Sequence, residues 1–199
     1  MNETVLATLG ITSGVINLGA SIPYFIDIFR GNTKPERATW WMWFALGAVG
    51  LFGQIAGGAR WSLVLSVSSV LVAGATALLS IKYGYGRFHR RDGISLLVTV
   101  IGIVLSLIYN SPLIVVATVV VIDSIAGGLT LYKTWFAPLT ENLTAWSTST
   151  VGVTCGLLAV GDFRPVIFLS PLSNFLVNIL MVVIILGRRS HVKRQPADV

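Results

Sequence analysis

The sequence has little charge, cysteine or histidine, and each shortage excludes a class of protein. Only 11% of the 199 residues are charged, whereas soluble domains carry about 25%, so a water-soluble fold is not expected. The single cysteine, Cys155, excludes an intramolecular disulfide and a cysteine-rich metal site. The two histidines, His89 and His191, fall in or near charged segments. No metal and no cofactor are therefore expected.

Motifs for catalysis and nucleotide binding are also missing. The sequence has no H-E-x-x-H pattern, nucleophile elbow or phosphate-binding glycine loop. The last apolar run contains no lysine, which argues against a retinal Schiff base. Because paired acid and base residues are lacking as well, we expect that the protein is not an enzyme.

Apolar sequence dominates the chain. Hydrophobic residues make up 54% of it and the mean hydropathy is +0.81, and the apolar runs reach the length of about 20 residues that crosses a bilayer. Met1–Glu3 lacks the basic start of a cleaved signal peptide, so the first run is expected to remain a helix. We predict an all-α integral membrane protein with seven spans, at roughly 4–29, 37–58, 61–82, 93–109, 112–135, 142–161 and 164–187.

The basic residues alternate between the predicted connections. Twelve of the 14 lysines and arginines follow spans one, three, five and seven, and only Arg60 and Arg164 lie on the opposite side. The positive-inside rule therefore predicts an inner-membrane protein with its N-terminus outside and its C-terminus in the cytoplasm. The basic cytoplasmic tail, 188–199, is expected to be disordered. Topology explains the net charge of +6, so nucleic acid is not an expected partner.

The chain resembles itself when it is shifted by 103 residues. Two groups of three spans, about 4–82 and 112–187, then overlap, and the span at 93–109 joins them within a single domain, 1–187. An odd span between two three-span units makes the units parallel, which predicts a 3+1+3 arrangement. The shift places Arg30 on Lys133, Pro35 on Pro138, Trp43 on Trp146 and Gly53 on Gly156.

This plan resembles the SWEET and PQ-loop (MtN3/saliva-like) transporter superfamily. That superfamily places Pro-Gln or a similar pair near the cytoplasmic end of the first helix of a unit, where this sequence has Pro23-Tyr24; the second unit has Ala126-Gly127-Gly128 instead. The sequence is also similar to a bacterial seven-helix branch with a G-x-T-K-P…W corner, here Gly31 to Trp40. The resemblance implies a carrier for a small solute that works by alternating access.

Asp123 stands out because it lies near the middle of the fifth span. A charged aspartate there costs about 2.5–3.5 kcal/mol on insertion scales, and such carboxylates usually face a cavity or a partner. The residue predicts a proton-coupling or substrate-contacting carboxylate. A structural hydrogen bond to a neighbouring helix is the alternative.

Further polar residues fall at similar depth in other spans and predict a shell around a midplane site. The resemblance implies sugar recognition by a seventh-helix asparagine, which Asn174 or Asn178 resembles, although Leu71 and Ala75 stand where the third-helix counterpart would be. Interhelical hydrogen bonding is the alternative role. The shell comprises Asn17, Ser69, Thr150, Thr154, Asn174 and Asn178 together with Asp123.

Helix interruptions at matching positions predict a hinge or gate. Pro23 removes a backbone hydrogen bond in the first span, and Gly127 and Gly128 loosen the fifth. Asp27 and Arg30 are spaced to pair at the inner end of the first span, as a gate or as an interfacial salt bridge. Packing is the alternative explanation for the proline and the glycines.

The remaining features predict anchoring and packing. Tryptophans 40, 41 and 43 fit an interfacial aromatic belt, with one of them free to line an inner vestibule. The glycine pairs 10/14, 53/57 and 152/156 allow close helix contact.

The sequence thus favours a transporter for a small polar solute, with the lipid bilayer as its surroundings and self-association left open. The alternative is a non-transporting receptor or assembly factor that binds a cytoplasmic partner through Arg87, Arg90 and Arg91.

Overall fold

The computed structural model is built from α-helices and describes residues 2–56, 58–87, 89–109, 112–161 and 163–192. Within these ranges no strand occurs, which confirms the predicted all-α class. A short 3₁₀ turn, Pro138–Thr140, precedes the sixth helix. The helices are α1 (Glu3–Phe29), α2 (Arg37–Ala56), α3 (Ser62–Tyr83), α4 (Arg90–Tyr109), α5 (Pro112–Phe136), α6 (Leu143–Leu158) and α7 (Pro165–Val192).

The helix boundaries lie close to the predicted ones, with one correction at the C-terminal end. Helix α7 continues to Val192 instead of ending at 187, so the first part of the tail predicted to be disordered is helical. Residues 193–199 of that tail lie outside the described ranges.

Short polar side chains define where several helices begin. The side-chain oxygen of Asn2 accepts a hydrogen bond from the Thr4 N–H, and that of Asn142 accepts one from the Ala145 N–H. The Glu36 carboxylate accepts the Thr39 N–H at 2.7 Å ahead of α2. These caps satisfy backbone donors that have no partner inside the helix.

Four helices are long and apolar enough to cross a membrane by length and composition: Glu3–Phe29, Ser62–Tyr83, Arg90–Tyr109 and Ile167–Ser190. Their outer faces carry large apolar side chains, among them Val15 (64% exposed) and Leu78 (63% exposed). Extended apolar surface of this kind is unusual for a protein in water. The chain is therefore compatible with a membrane protein.

The helices pack in pairs that recur along the chain. Helix α3 contacts α1 and α2, and α7 contacts α5 and α6. Helix α1 also contacts α6, and α2 contacts α5. Helix α4 lies against α2 and α5.

Glycines allow the closest of these contacts, as predicted for the pairs 10/14 and 152/156. A Cβ atom at Gly10 would lie 2.4 Å from the backbone oxygen of Trp61, and one at Gly14 would lie 2.6 Å from Val64. A Cβ atom at Gly156 would lie 2.2 Å from Leu65. Helices α1 and α6 therefore approach α3 through surfaces without side chains.

Replacing Gly10 with Ala is expected to destabilise the protein by about 1–3 kcal/mol, because the added methyl meets backbone that cannot rotate away. Gly19→Ala is the matched control in the same helix, since a Cβ there meets no atom within 4 Å. It is expected to be neutral or slightly stabilising. Thermal unfolding of both variants in detergent measures the difference, and equal midpoints would contradict the close packing of α1 on α3.

Candidate functional site

A cavity of about 220 Å³ lies between the helices and is lined by residues from α1 to α7. Its lining extends from the beginning of α2 and α6, at Trp43 and Trp146, toward the end of the bundle where α2 ends and α3 and α7 begin. Gln54, Ser66 and Pro165 line that second region. Five of the seven residues predicted to form a polar shell line this cavity: Asn17, Ser69, Asp123, Asn174 and Asn178.

Asp123 lines the cavity from α5 and is 9% exposed. The indole N–H of Trp43 donates to its Oδ1 at 2.9 Å, and the hydroxyl of Ser173 donates to its Oδ2. Helices α2 and α7 therefore hold the carboxylate in place. Asp123 therefore lines a cavity and also accepts hydrogen bonds from neighbouring helices. Its geometry fits both the functional and the structural alternative.

Asn17 occupies a comparable position on α1. Its amide nitrogen donates to Ser68 Oγ at 3.1 Å and to Ser69 Oγ at 3.3 Å, both on α3. Its amide oxygen accepts a hydrogen bond from Ser149 Oγ on α6, at 3.4 Å. Asn17 is thus hydrogen-bonded to α3, from its own group of three helices, and to α6, from the other group. Asp123 is likewise hydrogen-bonded to α7 from its own group and to α2 from the other.

The two asparagines of α7 bond to each other. The amide nitrogen of Asn178 donates to the backbone oxygen of Asn174 at 2.9 Å and to its Oδ1 at 2.7 Å. Asn178 Oδ1 is buried and has no hydrogen-bond partner among the described residues. This arrangement leaves an unused acceptor on a residue that lines the cavity.

Three tryptophans line one end of the cavity. The ring centroids of Trp40 and Trp43 lie 5.2 Å apart, and Trp146 lies 6.3 Å from Trp43. The prediction that at least two of the first three tryptophans anchor the protein at an interface is wrong for Trp40 and Trp43, which line the cavity. Tertiary contact with Trp146 draws them inward.

A buried ion pair lies on the other side of Trp146. Lys133 and Glu141 are 3% and 1% exposed, and the ammonium donates to the carboxylate. The indole N–H of Trp146 donates to Glu141 Oε2 at 2.8 Å, and the Tyr24 hydroxyl donates to the same oxygen at 3.3 Å. Lys133 lies in the last turn of α5 and is buried, so it is not part of an exposed basic connection after that helix.

Two predicted shell residues lie elsewhere. The hydroxyl of Thr150 donates to the Trp146 carbonyl at 2.8 Å, and that of Thr154 donates to the Thr150 carbonyl at 2.7 Å. Neither residue is among those that line the cavity. Both hydroxyls are used within their own helix.

The predicted hinge residues lie outside the cavity lining. Helix α1 runs through Pro23 without interruption, and α5 runs through Gly127 and Gly128. A Cβ atom at Gly127 would lie 2.9 Å from Val177 Cγ2, so this glycine allows α5 and α7 to pack closely. A hinge at these positions stays a prediction.

The predicted pairing of Asp27 with Arg30 is wrong. The Asp27 carboxylate accepts a hydrogen bond from Asn142 Nδ2 at 2.6 Å and one from Asn32 at 3.5 Å. None of the ion pairs in the described part of the chain joins Asp27 to Arg30. Asn142 precedes α6, so the contact joins α1 to the other half of the chain instead of to its own end.

Sequence reasoning missed the partners of Asp123 and the Lys133–Glu141 pair. The repeat places Trp43 on Trp146, which could have identified both as equivalent members of one site. Nothing in the sequence indicated that Ser173 faces Asp123.

The fold and the cavity define an all-helical protein, compatible with a membrane protein, with a cavity between its helices that is lined by apolar side chains and a few polar ones. No protein family, no curated protein and no solved structure matched the chain in the comparisons made.

Proposed function

We propose that the chain is a membrane transporter for a small polar solute and works by alternating access. The cavity carries the proposal: helices from both halves of the chain line it, several polar residues are part of the lining, and tryptophans line one end. Concave sites with a few convergent polar groups are where small ligands bind. The volume of about 220 Å³ restricts the solute to a small molecule.

The packing pattern supports a 3+1+3 architecture of the SWEET-like type. The contacts of the two groups of three helices correspond. Helix α1 contacts α3 as α5 contacts α7, and α1 contacts α6 as α5 contacts α2. The polar contacts show the same correspondence, since Asn17 and Asp123 each bond a serine of their own third helix. We infer two parallel repeats around an axis along the membrane normal, with α4 as the linker.

The proposal requires α2, α5 and α6 to cross the membrane as well. Their 20, 25 and 16 residues correspond to about 30, 38 and 24 Å at 1.5 Å per residue. Helix α6 is the shortest, and a thinner bilayer around it would accommodate the mismatch.

The distribution of basic residues supports an N-terminus outside and a C-terminus in the cytoplasm of the inner membrane. In this orientation the cavity extends toward the outer face, and the tryptophans and the Lys133–Glu141 pair close the inner route. Rocking of the two halves would break the contacts that join them, which include Asn17 with Ser149 and Asp123 with Trp43. Asp123 is the proposed proton-coupling group.

Uptake into proteoliposomes tests the proposal. Purified protein is expected to accumulate at least one labelled solute from a panel of sugars, amino acids, amines and vitamins, and an imposed proton gradient is expected to increase that accumulation. Asp123→Asn keeps the side-chain shape and removes the charge, so gradient-driven accumulation should fall to the level of empty liposomes. Asp27→Asn, outside the cavity, serves as the matched acid control. No flux for any solute would contradict the proposal.

A receptor or assembly factor is the second candidate, and the α3–α4 connection favours it. Arg87 in that connection and Arg90 and Arg91 at the beginning of α4 are all exposed, and the Arg91 guanidinium lies 5.1 Å from the centroid of the Tyr132 ring. A stable cytoplasmic partner that co-purifies with the wild type and is lost when the three arginines are replaced by glutamine would support this role.

A further inference from the structure

Asp123 is the one ionisable residue among the described residues that line the cavity. No lysine, arginine or histidine of that lining neutralises it or could pair with an anionic ligand. Trp43 and Ser173 each donate one hydrogen bond to the carboxylate. A carboxylate has about four acceptor positions, so it retains the capacity to accept donors from a ligand.

Asn178 supplies a second acceptor. The residue is 4% exposed, and its Oδ1 has no hydrogen-bond partner in the part of the chain that the structure describes. Its orientation is defined, because the amide nitrogen donates twice to Asn174. A buried acceptor without a partner is costly, and a ligand with an N–H or O–H group would satisfy it.

A cluster of three tryptophans reaches the carboxylate through Trp43. Trp43 donates to Asp123, and its ring contacts both Trp40 and Trp146, with centroids 5.2 and 6.3 Å away. The faces of indole rings attract cations, and tryptophan rings line the cavity together with Asp123. A positive group that binds the carboxylate from the cavity would therefore have aromatic rings close by.

We propose that the solute is a small organic cation with a protonated amine. The ammonium group binds Asp123 beside the Trp43 ring, and a second donor on the molecule binds Asn178 Oδ1. Asp123 and Asn178 both line the cavity, so one molecule inside it can contact both side chains. This inference rests on the proposed role of the cavity in binding a solute.

The closest competing ligand is a neutral polyol, because its hydroxyls could donate to the same two acceptors. The organic cation and the neutral polyol differ in charge. A buried carboxylate attracts a cation much more strongly than a neutral donor, since the surrounding dielectric is low. An anionic ligand would instead be repelled, and the lining offers it no basic side chain.

Two series of matched molecules test the inference by calorimetry on the full-length protein in lipid nanodiscs. Benzylamine, benzyl alcohol and benzoate form one series; ethanolamine, ethylene glycol and glycolate form the other. In each series the amine is expected to bind about tenfold or more tightly than the alcohol, which corresponds to roughly 1.4 kcal/mol. Asp123→Asn should abolish this preference, and Asp123→Glu should retain it.

Asn178→Leu provides an independent variant. It should weaken binding of ethanolamine several-fold and leave benzylamine, which has no second donor group, within about twofold of the wild type. If a variant does not fold, the wild-type series alone still compares molecules that differ in charge and little in shape.

Equal or tighter binding of the alcohols, unchanged in Asp123→Asn, would overturn the cation inference and leave the proposed transport function intact. Binding of the carboxylates in preference to the amines would also overturn it. If none of the six molecules binds, the cation inference is overturned, and the broader panel in the uptake experiment decides on the transport function.

Discussion

Replacing Lys133 with Met is expected to destabilise the protein by about 3–5 kcal/mol, since removing one member of a buried ion pair leaves the other uncompensated. Lys133 Nζ donates to the Glu141 carboxylate, to the Lys34 carbonyl at 2.6 Å and to the Thr140 carbonyl at 3.3 Å. The variant loses all three bonds. Equilibrium unfolding in mixed micelles measures the change in the free energy of unfolding.

Lys82→Met is the matched control, because Lys82 is exposed near the end of α3 and pairs with no carboxylate in the described part of the chain. It should change stability by less than about 0.5 kcal/mol. The double variant Lys133→Met/Glu141→Gln removes both charges and should cost less than the sum of the two single changes. A Lys133 variant as stable as the Lys82 variant would show that the pair does not hold the tryptophan-lined end of the cavity together.

Gly50→Phe is expected to reduce uptake to the level of empty liposomes. Gly50 lines the cavity, and a Cβ atom there meets no atom within 4 Å. A phenyl ring can therefore enter the cavity without displacing the backbone, and it would occupy the volume of about 220 Å³ that the solute needs. Flux and binding should be lost together, whereas the thermal midpoint should change little.

Gly19→Phe separates blockage from general disturbance. A Cβ atom at Gly19 also meets no atom within 4 Å, and Gly19 does not line the cavity. This variant should transport at close to the wild-type rate. Wild-type flux through Gly50→Phe would place the route of the solute outside this cavity.

The sequence predicted the helices well because the apolar runs and the polar breaks between them are local features. The bounds of α1 and α5, for example, match the predicted spans within a residue, as α1 follows the cap at Asn2 and ends before Gly31, whose φ is +77°. The end of α7 was missed because its last residues are polar. Contacts of that end with the rest of the chain, such as Arg189 Nε with the Pro138 carbonyl at 3.1 Å, are not local.

The candidate site was predictable in part. A polar residue in the middle of an apolar run must turn away from lipid, and this reasoning found Asp123, Asn17 and Asn178. It could not distinguish them from Thr150 and Thr154, because a threonine hydroxyl can satisfy itself on the preceding turn of its own helix. The sequence indicates how far along a helix a polar residue lies. It does not indicate which side of the helix the residue faces.

The sequence by itself determined the all-helical class, the positions of the helices and the polar residues available for a site, because hydropathy and capping act over a few neighbouring residues. Only the tertiary structure decided which side chains meet. It placed Trp43 against Asp123 across 80 residues of chain. It also buried Lys133 against Glu141, and the Lys133 ammonium donates to the Lys34 carbonyl of the other half of the chain at 2.6 Å. The packing of the helices determines which side chains become partners. A charge is buried only where an opposite charge and further hydrogen bonds compensate it.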